Sequence, residues 1–156
     1  MTTAILVAFD ESPQSVAALG HALETYDDAT IRVLYVNDPW EWAGADGIND
    51  LFFAEDAFER SQDVASDVIA AANEIAREYD REIVAETEIG GTAETIVSYA
   101  EDHDIDHVVL GSHGRRGLTR FFLGSVAQYV AKRSPTSVTL IRGDDADEDP
   151  SSSDDT

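Results

Sequence analysis

The 156-residue chain has no cysteine and a single lysine, Lys132. Without cysteine there is no disulfide framework and no thiolate chemistry. No long apolar run occurs, so no membrane-spanning helix is expected. The N-terminal "MTTAILVAFDES" has no basic segment ahead of its short apolar run. It does not fit a secretory signal, and the expected location is cytoplasmic. Positive charge is scarce throughout, with 10 bases against 32 acids and a formal net charge of -22. At ordinary ionic strength such a field repels nucleic acid, acidic membranes and polyphosphates. No nucleic-acid or membrane partner is expected, but a small phosphorylated ligand stays open. In molar salt the screening length falls to about 3 Å, and only local geometry then matters. An acid-rich, lysine-poor chain resembles the proteins of salt-in halophiles, the alternative being an isolated acidic protein. The halophilic reading predicts a fold that loosens in low salt through self-repulsion.

What is present reads as one globular domain of ordinary hydrophobic content. "AILVAF", Ala4–Phe9, is a short continuous apolar run that suits a buried strand. Ser12 as N-cap and Pro13 at the first helical position open a helix with Val16, Leu19, Leu23 and Tyr26 at helical spacing. A second strand falls near Thr30–Val36. Asp38 to about Phe53 holds a proline, two glycines, Trp40, Trp42, Phe52 and Phe53, and reads as a long connection anchored by its aromatics. An amphipathic helix follows over Ala54–Tyr79. "REIVAETEI" is a third strand, Thr92 is the expected cap of the next helix, and "HVVLGS" is a fourth strand. Ser125–Arg133 is a helix, Pro135 ends it, and "TSVTLIR" is a fifth strand. Residues 143–156 are almost all Asp, Glu, Ser and Gly, and read as a disordered acidic tail after a domain spanning 1–142. Strands alternating with helices imply a parallel sheet covered on both faces, a three-layer α/β sandwich of Rossmann-like type.

In such sheets ligands bind beyond the carboxyl ends of the strands, where the strand order reverses. Two loops there look unlike plain connections: one at Asp10 after the first strand, the other at Gly111 after the fourth. "GSHGRRGLTRFFLGS", Gly111–Ser125, concentrates glycine and arginine in an acidic chain. A phosphate needs inward-pointing backbone N–H groups, close approach, and gains from a helix N-terminus. Gly111 and Gly114 can form one wall, and Gly124 with Ser125 the other. Leu118, Phe121, Phe122 and Leu123 would anchor the excursion by burial. The segment is neither a P-loop nor a dinucleotide fingerprint, since no glycine precedes a lysine and G-x-G-x-x-G is absent. Glycines at this spacing can also be plain turn residues.

Gly111-x2-Gly114-x9-Gly124-Ser125 is similar to the G-2x-G-9x-G-[ST] signature of the ATP-binding branch of the universal stress protein family. "ILVAFDES" resembles that family's opening strand and Asp loop, and the stretch from Val108 to Arg142 resembles its C-terminal third. The resemblance implies a five-stranded parallel sheet of order 3-2-1-4-5, of the adenine nucleotide alpha hydrolase-like type. It implies a homodimer through the last strand, about Ser137–Ile141, and bound ATP, with or without Mg2+. It places Asp10 against the adenosine, with Ala8 and Phe9 lining the mouth and the Val36 backbone reading the adenine edge. Leu110 and Gly111 would lie by the ribose and phosphates. Gly114, Gly124, Ser125 and Val126 would bind phosphate, chiefly through backbone N–H. Glu11 stands where many members have glycine. It is expected to add negative charge at no cost to the fold.

Each residue has a plainer role beside the functional one. Asp10 can cap or hold a turn, and Ser125 can simply start a helix. Arg115 and Arg116 can neutralise outer phosphates or face solvent, and Arg120 suits a surface ion pair. His113 is either an acid–base group or a loop histidine. The function these residues imply is an ATP-binding sensor or regulator in the stress response. The alternatives are slow ATP hydrolysis or autophosphorylation at Ser125 or His113, and a dimerisation module without ligand.

Overall fold

A computed structural model of the chain describes residues 2–39, 51–112 and 123–142, with the side chains of 51–54 left aside. The described elements run β1 (Ala4–Ala8), α1 (Pro13–Thr25), β2 (Thr30–Asn37), α2 (Leu51–Glu78), β3 (Val84–Ile89), α3 (Thr92–Asp102), β4 (His107–Gly111), α4 (Ser125–Arg133) and β5 (Ser137–Ile141). The five strands are parallel and lie in the order β3-β2-β1-β4-β5.

Why β1 is an unbroken apolar run is now plain. Successive side chains of a strand point to opposite faces, and both faces here are covered. Ile5 and Val7 join Leu19, Val33 and Val68 in one core beneath α1 and α2. Leu6 joins Leu34, Ile96, Val108 and Val130 in a second core beneath α3 and α4. Ile5, Leu6 and Val7 are all fully buried.

Local chemistry sets the helix ends. Ser12 caps α1: its Oγ accepts from the Ser15 N–H at 3.2 Å, and Pro13 follows at the start of the helix. The other end of α1 is closed from a distance. The Arg81 guanidinium donates to the carbonyls of Leu23, Tyr26 and Ala29 at 2.8, 3.2 and 3.0 Å. Arg81 therefore belongs to a cap, and β3 begins only at Val84, later than "REIVAETEI" suggests. α2 begins at Leu51, three residues before the expected start at Ala54. Thr92 is not the cap of α3. Gly91 holds that position, and Thr92 is the first helical residue. The Thr92 N–H and hydroxyl both donate to Asp38 Oδ2 at 3.2 Å. The carboxylate at the end of β2 thus supplies what a capping side chain would otherwise supply.

Candidate functional site

The strand order reverses at β1, whose neighbours are β2 and β4. The loops leaving the carboxyl ends of β1 and β4 therefore stand side by side, the juxtaposition the residues alone left open.

The β1–α1 wall is tied to itself. Ala8 ends the strand half-buried. Phe9 prolongs the ladder by donating its N–H to the Leu34 carbonyl at 3.0 Å. Its ring is buried in the first core, so Phe9 presents backbone to the crevice. Asp10 is half-buried and takes part in the turn. Its N–H donates to Ser15 Oγ at 3.2 Å, and its Oδ1 accepts from the Ser12 N–H at 2.9 Å. That second bond is the Asx turn expected of an aspartate two residues ahead of a helix cap. Glu11 is exposed and has a left-handed backbone, φ 69°. The expectation that an acid here costs the fold nothing is corrected. A side chain in that conformation brings Cβ against the following carbonyl, a strain of about 1–2 kcal/mol that glycine avoids.

The β4–α4 wall is built differently. Leu110 is buried in the second core, and Gly111 is the last residue of β4. Ser112 is buried; its N–H donates to the Ile141 carbonyl at 2.8 Å, and its carbonyl accepts from the Gly124 N–H at 2.8 Å. One backbone hydrogen bond thus closes the base of the excursion and sets α4 directly beyond β4. Leu123, expected to anchor the excursion, is 40% exposed, a correction whose cause is that this backbone bond does the tethering. Gly114, Arg115 and Arg116 lie outside the described residues, as do His113, Leu118, Arg120, Phe121, Phe122 and the tryptophans.

α4 starts without a side-chain cap. Gly124 is its N-cap in an extended conformation, φ -64° and ψ 158°, and no acid lies in the first turn. Ser125 is exposed, and Val126 packs partly against the second core. α1 and α3 differ. α1 has Ser12, and α3 has Glu94 in its first turn and the Asp38 carboxylate on Thr92. Unlike the starts of α1 and α3, the N-terminal dipole and N–H groups of α4 have no first-turn acid and no side-chain cap among the described residues.

Val36 is buried in β2 near its end, but the last strand residue is Asn37, also buried. The Asn37 Nδ2 donates to Ser61 Oγ at 3.0 Å, and its carbonyl accepts from the Gly90 N–H at 3.1 Å. Ser15, Ser112 and Asp38 support this end of the sheet and were not singled out from the sequence. Ser15 carried a signal, being three residues after a cap; Ser112 and Asp38 did not.

Two groups elsewhere are held away from their ordinary ionisation range. Burial, then its hydrogen bond to Glu86, pushes the Tyr99 phenol up to about 12. Burial, then the nearby His21, holds His107 below the usual histidine value. Tyr99 is on α3 and bonds Glu86 and Arg32. His107 begins β4 and meets Thr139 Oγ1 at 2.6 Å. Neither belongs to the carboxyl-end crevice.

The fold and the place of this crevice define the class: an open, doubly wound parallel α/β domain with its candidate site at the switch point. A family model described as the universal stress protein family matches residues 1–142, and the chain belongs to that family. A universal stress protein of Methanocaldococcus jannaschii is 30% identical over 142 residues, covering 88% of this chain and 81% of the relative. The solved universal stress protein of Lactobacillus plantarum superposes with a TM-score of 0.75 at 29% identity, covering 90% of this chain and 97% of that one. A family protein of Arabidopsis thaliana, solved with AMP bound, has a TM-score of 0.67 at 19% identity, covering 96% and 98% of the two chains.

Proposed function

We propose that this protein binds an adenine nucleotide, ATP in the first instance, in the crevice between the β1–α1 and β4–α4 loops and acts as a nucleotide-dependent regulator of the stress response. The observation that carries this is the open N-terminus of α4, capped by a glycine with no side-chain oxygen and no first-turn acid. It lies beyond β4, beside β1, where a phosphate gains both N–H groups and dipole. Solved structures of the same fold that carry AMP, cAMP or dAMP support it further. Gly111, Gly114, Gly124, Ser125 and Val126 take the phosphates. Arg115 and Arg116 are assigned to the outer ones. Asp10 and Ala8, the backbone of Phe9 and Val36, and Leu110 face the nucleoside. If magnesium accompanies the nucleotide, it offsets phosphate charge beside an acidic wall.

Calorimetric titration of ATP, ADP and AMP, with and without magnesium, tests this. It is best done in molar KCl, because the net charge of -22 supports a protein suited to high salt. Saturable binding at one site per chain is the expected result, and no heat with any of the three overturns the proposal.

We further assign β5 as the dimer edge. Its sequence, SVTLI, carries no charge, whereas the opposite edge, β3, carries Glu86 and Glu88. Sedimentation should give a dimer for the native chain and a shift toward monomer for Ser137→Asp. A monomeric native chain overturns the assignment.

A further inference from the structure

Among the described residues, three other than glycine have left-handed backbones: Glu11 at φ 69°, Asp80 at 57° and Asp104 at 52°. Two of them are explained by helix endings. After Asp80 the Arg81 N–H bonds back to the Ala76 carbonyl at 2.9 Å, and after Asp104 the Ile105 N–H bonds to the Ala100 carbonyl at 3.2 Å. This is the motif in which a left-handed residue ends a helix, and aspartate tolerates the conformation through its short polar side chain. Glu11 has neither excuse. It follows a strand, its side chain is longer, and it is exposed.

Its neighbours leave it no choice. On one side, the Phe9 N–H is held by Leu34 and the Asp10 N–H by Ser15. On the other, the Ser12 N–H is held by Asp10 and Ser12 caps α1. A residue kept in an unfavourable conformation by an over-determined surround, at a candidate ligand site, points to a functional constraint.

We propose that Glu11 sets charge selectivity in the crevice, weakening the hold on each further phosphate and so narrowing the preference for ATP over AMP. This rests on the nucleotide-binding reading above and deepens it. Glu11 is an exposed residue of the β1–α1 loop, and β1 lies beside β4, beyond which the phosphate chain is assigned. Each further phosphate adds negative charge that this carboxylate repels. Two unit charges about 7 Å apart in water interact by about a threefold factor in a binding constant. ATP carries roughly two more negative charges than AMP at neutral pH. Molar salt screens the effect.

The test compares the native chain with Glu11→Gln, which keeps a strained side chain without its charge, and Glu11→Gly, which removes both. AMP and ATP are titrated into each in EDTA, at 0.1 M and 3 M KCl. At 0.1 M both variants should bind ATP about two- to fivefold more tightly, with AMP changed less than about twofold. The difference should shrink at 3 M. Glu11→Gly alone should also raise the melting temperature. Equal factors for AMP and ATP, or an unchanged ratio in Glu11→Gln, overturn the selectivity role and leave nucleotide binding standing. No binding by any of the three chains overturns both.

Discussion

The two walls of the crevice are made from the same materials, a strand end, a loop and a helix start, and end with opposite character. On the β1–α1 side the N–H groups of Asp10, Ser12 and Ser15 are taken by Ser15, Asp10 and Ser12 respectively, and the exposed side chain is an acid. On the β4–α4 side the helix start has a glycine, no capping oxygen and no acid. If α4 takes the phosphate as proposed, an anion site is as much a matter of withheld caps as of added cations. A serine at the N-cap finishes a helix; a glycine in the same extended geometry leaves the job to a ligand.

The sharpest way to break this contrast is to give α4 its own cap. Gly124 has backbone angles that any residue adopts, so Gly124→Asp should fold normally. Its carboxylate should occupy the N–H groups and repel phosphate. Nucleotide affinity should fall more than about a hundredfold, close to 3 kcal/mol, with a melting temperature equal to or slightly above that of the native chain. Gly124→Val should also abolish binding, by bulk alone, with the oligomeric state intact. Undiminished binding in both refutes the cradle.

Removing the cap on the other wall should lower stability rather than affinity. Ser12→Ala removes the oxygen that the Ser15 N–H uses and should cost about 1 kcal/mol of stability. Chemical denaturation measures that cost, and titration should show nucleotide affinity changed far less than in the Gly124 variants. If Ser12→Ala costs binding as heavily as Gly124→Asp, the walls are not distinct.

The smallest effect serves as a control, because it lies away from both walls. His107 is held below its ordinary value of 6.5, first by burial. The unfolded chain therefore takes up a proton near pH 6.5 while the folded chain resists it. Stability should fall as pH drops through that value, until the lowered folded pKa is passed. His107→Asn should flatten this part of the melting-temperature profile between pH 7.5 and 5. Since His107 starts β4 rather than ending it, the ratio of ATP to AMP affinity should follow the charge of Glu11 and stay unaffected by this substitution.

Much of the fold was legible because its signals are local. Apolar runs, partial alternation and helical spacing announced the described strands and helices, and Ser12-Pro13 announced the start of α1. The misplacements share one cause. Arg81 was read into a strand because nothing nearby says it will close a helix 58 residues earlier in the chain. Thr92 was read as a cap because its true partner, Asp38, is 54 residues away. The α4 wall was visible through its glycines and the family signature, whereas the handedness of Glu11 was not. That handedness follows from four hydrogen bonds around it rather than from glutamate itself, whose own preference is the opposite.

By itself, then, the sequence determined the kinds of element, their order along the chain and the two-sided burial of β1 and β4, since each depends on residues within one or two turns of one another. It also carried the family, whose model matches residues 1–142. The tertiary structure alone decided which N–H groups are consumed and which are left. That outcome depends on β1 lying between β2 and β4, on Ser112 holding Gly124, and on Asp38 reaching Thr92. Hydrogen-bond partners are assigned by proximity in space, and proximity in space is what a parallel sheet with long crossovers takes away from neighbours in sequence.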